Sequence, residues 1–358
     1  MGLLQALQAG DMAAIRAALK ADPAAAKIPR MIGAAAGRAL LPAVQLLHKH
    51  GADLNAAWRN YRPLHNLIQS DPHAAAGKPG PERLACLDWL LAHGADPELT
   101  GAWPPARALI IATFVGEPAY VEHLRAAGAR MDGFTGAALG DVEVVKMALA
   151  ARPEFARERD SGALTALQCA AGSRLPKVDT LRVAALLLDA GADPNAQTRT
   201  WGSTVDAAYF ACGAKNAAMF ERLLERGADA TVAIGHAVWR KRFDLAERAL
   251  VHGAALDRAT ASGKPLLNDL IRWGQIPQTM WMLAHGASPD TPDADGWTAA
   301  HQAVSRGNAR LLQAIIDAGA DLTRRDKRGG TPLDLARALS GEKTSREKIV
   351  AVMAAASL

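Results

Sequence analysis

One short word constrains the fold of this chain more than anything else. "GAD" or a near variant follows an amphipathic segment at Gly51, Gly94, Gly128, Gly191, Gly227, Gly253, Gly286 and Gly319. The successive gaps, by subtraction, are 43, 34, 63, 36, 26, 33 and 33 residues. Segments such as "AAMFERLLER" and "LLQAIIDA" precede it, with apolar residues at i, i+3, i+4 and i+7, which is one helix face. The Gly ends the helix because the residue after the last turn adopts positive φ, least costly without a Cβ. A polar link follows, and a Pro opens the next helix, as in "RPLH" after Gly51 or "TPLDLA" near the C-terminus. The gap of 63 hides a further unit, "TGAALGDVEVVKMALAARPEF". The chain therefore reads as an array of helix–turn–helix units, each covered by its neighbours.

On these words the sequence resembles the ankyrin-repeat family. "RPLHNLI", "TALQCAA", "TAAHQAV" and "TPLDLA" match the first helix of that repeat, and "VVKMALA", "LLLDAGADPNA" and "LLERGAD" match the second. The resemblance runs from about Leu3 to Ala356. It implies an all-α ankyrin-repeat solenoid of about ten repeats. The expected organisation is capping helices over 1–27, a repeat array over 28–321 and a C-terminal capping repeat over 322–358, all continuous. A longer period is superposed. Trp103, Trp201 and Trp297 lie 98 and 96 residues apart, by subtraction, each in the link before an inner helix. A three-repeat block, duplicated, accounts for this spacing.

Composition excludes several classes. No apolar run approaches the roughly 18 residues of a membrane span, and the start, "MGLLQALQAGDM", lacks the basic n-region of a signal peptide. A cytoplasmic location is expected, although signal-less delivery into a host would leave the same sequence. Richness in Ala and Arg is what a GC-rich bacterial gene encodes. Three scattered cysteines give neither a disulfide framework nor zinc-ligand spacing, so no metal is expected. A net charge of +5 permits an acidic partner without demanding one. Phosphate-loop, H-E-x-x-H and G-x-S-x-G motifs are missing, so no cofactor is expected.

His50, His93, His252 and His285 immediately precede a terminating Gly, where an imidazole meets the last carbonyls of its helix. The resemblance gives His65 and His301 the role of the TPLH histidine, which ties one repeat to the next. Gln168, Asp334 and Leu267 stand in its place elsewhere. Asn66 and Asn268 occupy matching places in "PLHNLI" and "PLLNDLI" and suggest a repeated structural tie. A polar patch is also expected. Asp206 and Tyr209, with His236 and Arg240 one repeat later, could do acid–base work or hold an anion. In the plainer reading Asp206 caps a helix and His236 is a core residue.

In the resembled family the links and the inner-helix starts line a concave surface. Trp58, Arg59, Tyr61, Trp103, Trp201, Trp297 and Arg306 would string aromatic and cationic groups along it. A Trp folded back onto its own hairpin is the alternative. Two functions follow. The first is a non-catalytic scaffold binding another protein, one with an acidic patch, through this concave Trp/Arg-rich surface. The second is a small-molecule binder or enzyme, with an anionic ligand, around Asp206, Tyr209, His236 and Arg240. The basic stretches are too short for a nucleic-acid groove, and no membrane is involved. The insertion at 70–82, "SDPHAAAGKPGPE", reads as a lid or a tolerated loop.

Overall fold

The computed structural model describes residues 2–70, 79–200, 203–258, 264–338 and 343–355. The 70–82 insertion lies largely outside them, and Trp201 entirely so. The chain divides into two compact units, Met1–Gly227 and Ala228–Leu358, with the boundary inside the array read from the sequence. Among the described residues there are 22 α-helices. The first unit holds 14 of them and the second 8, which pair as seven and four helical hairpins. Eleven pairs replace the ten or so expected.

Local chemistry explains each hairpin. All eight terminating glycines have φ between 82° and 97°. At Gly51 the flanking amides close the helix end, with Gly51 N–H on the His48 carbonyl (2.8 Å) and Ala52 N–H on that of Leu47 (3.0 Å). Two units end differently. Met12–Ala21 and Val142–Ala151 run into 3₁₀ turns, Pro23–Lys27 and Pro153–Arg157, where Pro sits at the first position and needs no amide partner. The second is the unit hidden in the 63-residue gap. Asp11, Asp132, Asp141, Thr165, Asp206, Asn216, Asp229 and Asn308 cap helix N-termini through their side chains.

Alanine makes the packing close. Ala35, Ala36, Ala137, Ala138, Ala170 and Ala171 are fully buried on inner helices, so neighbouring backbones approach one another. The outer helices add Leu47, Leu87, Leu187 and Leu223, also fully buried. One link adds a short antiparallel ladder, Thr198–Thr200 against Ser203–Val205, to an otherwise helical chain.

Two kinds of polar tie join consecutive repeats. In the first, the residue four places after a terminating Gly reaches the next repeat's Gly turn. Asn55 accepts from Asp96 N–H (2.8 Å) and donates to the Gly94 carbonyl (2.8 Å). Glu98 accepts from Arg130 N–H, Asp257 from Ser288 N–H and Asp290 from Asp321 N–H, at 2.8, 2.8 and 2.9 Å. In the second, the third residue of an inner helix reaches the carbonyl just before the next inner helix's N-cap. His65 Nε2 reaches Ala106 O (2.9 Å), and Gln168 Nε2 reaches Val205 O (3.3 Å) as well as Ala196 O (2.8 Å). Asn268 Nδ2 reaches Trp297 O (2.8 Å), and His301 Nε2 reaches Gly330 O (3.2 Å).

This geometry corrects one alignment made from the sequence. The helix Leu266–Arg272 has Pro265 as its N-cap, whereas Pro63 lies inside Pro63–Gln69. Asn268 therefore corresponds to His65, not to Asn66, and it is Asn268 rather than Leu267 that stands in for the histidine. Asn66 instead packs on the inner helix before it, where a Cβ on Gly33 would come within 2.8 Å of its amide nitrogen.

A buried ion pair strengthens one repeat boundary. Arg107, 5% exposed at its side chain, bonds Glu98 (3.1 Å) and both oxygens of Asp132 (2.9 Å each). Burial alone would raise the Asp132 pKa. Hydrogen bonds from Arg107, the Thr135 amide and Arg130, with the Arg107 charge, outweigh it and hold the carboxyl at about 2.

Two predictions follow from the ties. Gln168→Ala orphans two carbonyls and should lower stability by about 1–3 kcal/mol in urea unfolding, whereas Gln168→Asn or →His should recover part of that. Burial pushes the His65 imidazole down to about 4 from 6.5, while the bond to Ala106 opposes the shift. The unfolded chain thus takes up this proton at higher pH than the folded one. Stability should fall by up to roughly 3 kcal/mol as pH drops from about 6.5 to 4. His65→Gln should flatten that slope in acid titrations of unfolding.

Candidate functional site

In the first unit the hairpin Trp58–Tyr61 forms one wall of a groove. Its ends pair through two backbone hydrogen bonds of 2.9 Å, and both central residues, Arg59 (φ 49°) and Asn60 (φ 69°), take left-handed conformations. This is the two-residue turn whose twist matches a hairpin. The next repeat holds it in place. Asn60 Nδ2 bonds Ala102 O (2.7 Å), the Asn60 carbonyl accepts from Ala102 N–H (2.7 Å), and Arg62 Nε bonds Thr100 O (2.9 Å).

The opposite wall is the helix Pro29–Gly37, which contributes Arg30 near its start, with Arg38 as its C-cap. Gly33 and Gly37, which carry no side chains, let Asn66 and Ser70 pack against the inner helix and complete the lining. The groove measures about 420 Å³. The Arg30 and Arg59 guanidinium carbons lie 5.9 and 5.8 Å from the centre of the Trp58 ring. Trp58 is 42% exposed. Burial pushes the Tyr61 phenol above its ordinary value. Among the described residues no carboxylate lines this groove, and Arg30, Arg38 and Arg59 enter no ion pair.

A second groove, of about 480 Å³, lies in the second unit and includes Trp297 and Arg306. Trp273, 64% exposed, and Arg272 join them from the end of an inner helix. The Arg306 guanidinium sits 3.4 Å from where a Cβ on Gly274 would be. Its charge is partly balanced. Asp293, buried, accepts from the amides of Asp295 and Trp297 (2.9 Å each) and from Lys264 and Gln302 (3.3 Å each). Trp297, half-buried, lies with its ring centre 6.2 Å from that of His301 at an interplanar angle of 25°.

The remaining aromatics fall elsewhere. Trp103 sits half-buried in the turn closed by Gly101 and Ala106. A larger groove on the outer helices, about 590 Å³, is lined by Leu91, Ala92, Ala126 and Glu122 beside the His123–Asp88 pair (2.5 Å), with no Trp, Tyr or Arg among its lining residues.

Of the polar patch expected around position 206, Asp206 and Tyr209 belong to the first unit, and His236 and Arg240 to the second. The buried Asp206 carboxylate caps the helix Ala207–Gly213 by accepting from Tyr209 N–H (2.9 Å). His236 lies in the last turn of the helix Ala230–Trp239, with Arg240 as its C-cap. His50, His93 and His285 bond the carbonyl four residues back through Nδ1 at 2.8 Å, and in the last two the imidazole stacks on the Trp of that carbonyl. The cysteines are buried, and burial pushes the Cys86 thiol up to about 12 and Cys169 well above its usual value, so neither is a ready nucleophile.

Arg30, Arg38, Arg272 and Trp273 escaped the sequence reading, because which positions along or beside an inner helix face a groove depends on the neighbouring repeat. A signal was present. Arg240, Trp273 and Arg306 recur at intervals of 33 residues, by subtraction, each capping the C-terminus of an inner helix.

Among the described residues no helix is long and apolar enough to cross a membrane. Residues 282–336 match the family described as ankyrin repeats (many copies), and residues 164–199 match the ankyrin repeat. An ankyrin repeat-containing protein of Schizosaccharomyces pombe is 40% identical over 60 residues, 17% of this chain and 29% of that protein. Protein phosphatase 1 regulatory subunit 27 of Mus musculus is 38% identical over 72 residues, 20% of this chain and 47% of that protein. The chain thus spans less than half the length of these curated relatives. Two solved structures, the ankyrin repeat domains of Bcl-3 and of human ASB11, are each 24% identical, with TM-scores of 0.49 and 0.45. They cover 63% and 62% of this chain and 98% of their own chains. Glycine-terminated helix pairs, ties from the TPLH position and these matched stretches lead to one conclusion: the chain is an ankyrin-repeat protein.

Proposed function

We propose that the protein is a non-catalytic interaction module that binds an acidic protein segment through its Trp/Arg grooves. One observation carries this reading. Trp58 stands exposed with two guanidiniums against its ring, in a groove without a carboxylate. Exposed Trp and Arg in a preformed groove are what binding hot spots are made of, since Trp buries a large rigid area and Arg presents a planar fork of donors. The groove in the second unit, around Trp273, Trp297 and Arg306, is the second candidate surface. A relative bearing the name of a phosphatase regulatory subunit supports a role exercised through protein contact. The catalytic alternative gains no such support, because the Asp206 carboxylate is engaged in capping its helix.

Panning a phage-displayed random peptide library on the full chain tests this. Acidic peptides should be enriched, and Trp58→Ala with Arg59→Ala, or Trp273→Ala with Arg306→Ala, should weaken them about tenfold or more. Recovery of no peptide above background, or of peptides indifferent to both variant pairs, would sink the proposal.

A further inference from the structure

We infer that the groove of the first unit receives a phosphorylated side chain of the partner rather than a carboxylate. This rests on the protein-binding reading above and names the chemistry of one of its surfaces. Three guanidiniums, those of Arg30, Arg38 and Arg59, edge a groove of about 420 Å³ whose described lining holds no acidic residue. All three are exposed. A single carboxylate brings one negative charge. A phosphoryl group brings about 1.5 to 2 charges and three acceptor oxygens, which suit several guanidinium forks together. The groove is of the size that holds a side chain and its neighbours. Trp58 and Tyr61 supply an apolar wall for the stem, and Asn66 a polar group on the floor.

The backbone fixes where this cation projects. Arg59 (φ 49°) and Asn60 (φ 69°) are the two central residues of a left-handed hairpin turn, a backbone conformation this chain also places on Lys177, Lys215 and Lys241. The turn holds the Arg59 side chain at the groove rim, where its charge meets the groove. Arg59 and Arg30 both rest against Trp58, so the cationic edge is set before any ligand arrives.

Fluorescence anisotropy on the full chain decides it. Three labelled peptide pools of one randomised neutral context carry phosphoserine, glutamate or serine at the centre. The phosphoserine pool should bind at least tenfold more tightly than the glutamate pool, and the serine pool should not bind. Arg30→Ala should weaken the phosphopeptide tenfold or more. Arg59→Gly should do the same while its Tm stays equal or rises, which a purely structural role for Arg59 would not produce. Inorganic phosphate as competitor separates the two sources of the group. Displacement only at millimolar phosphate fits a peptide-borne phosphoryl, and displacement at the peptide's own concentration overturns it in favour of the free anion. Equal affinity for glutamate and phosphoserine overturns the inference and leaves the acidic-partner reading standing. No binding of any pool also overturns it, and the panning experiment then bears on the broader reading separately.

Discussion

The bond between a side chain of one repeat and the backbone of the next is what the rest of each unit depends on. An ankyrin-type helix pair cannot bury its own apolar face, so stability lives at interfaces between repeats. Here those interfaces are rich in alanine, which contributes little area per residue. Dispersion between small side chains is also weakly directional, and would let helices slide along one another. The ties from Asn55, Glu98, Asp257 and Asp290 fix one end of the interface, and those from His65, Gln168, Asn268 and His301 fix the other. Each satisfies a backbone group that packing would otherwise leave stranded. Three side-chain types, His, Gln and Asn, share the second task because it asks only for a short N–H donor at the third helical position.

The same ties prepare the groove. Arg62 and Asn60 fasten the Trp58–Tyr61 hairpin to Thr100 and Ala102, so the indole and the Arg59 guanidinium project from a loop that is held at both ends. A ligand then meets an edge already assembled, and less ordering entropy has to be overcome on binding. Bare glycines perform a complementary service. Gly33 and Gly37 admit Asn66 and Ser70 to the inner helix, and a methyl group at Gly33 would push the amide away.

The two grooves differ in how their charge is handled. In the second unit Asp293 lies between Lys264 and Gln302 and tempers the field around Arg272 and Arg306. In the first unit no acid performs that role. Aromatic residues open both surfaces, but the strength of attraction for an anion is concentrated in the first.

How much of this was legible in the sequence depends on the range of the interaction concerned. Helix ends were legible, because a positive-φ glycine and an N1 proline are local requirements with local signatures. The repeat was legible because those signatures recur near 33 residues. The grouping of Trp58, Arg59 and Tyr61 could be read for the same reason, since they lie within one turn. Arg30 and Arg38 could not, because whether a position in or beside an inner helix faces the core or a groove depends on the neighbouring repeat, tens of residues away. The match of Asn268 with His65 likewise waited on where a helix began, which one residue of slippage conceals. By itself, then, the sequence determined the repeat, its turns and its helix faces, all set by backbone sterics over a few residues. Only the tertiary structure decided which cations stand around which indole, because stacking alone brings side chains from separate repeats within a few ångströms.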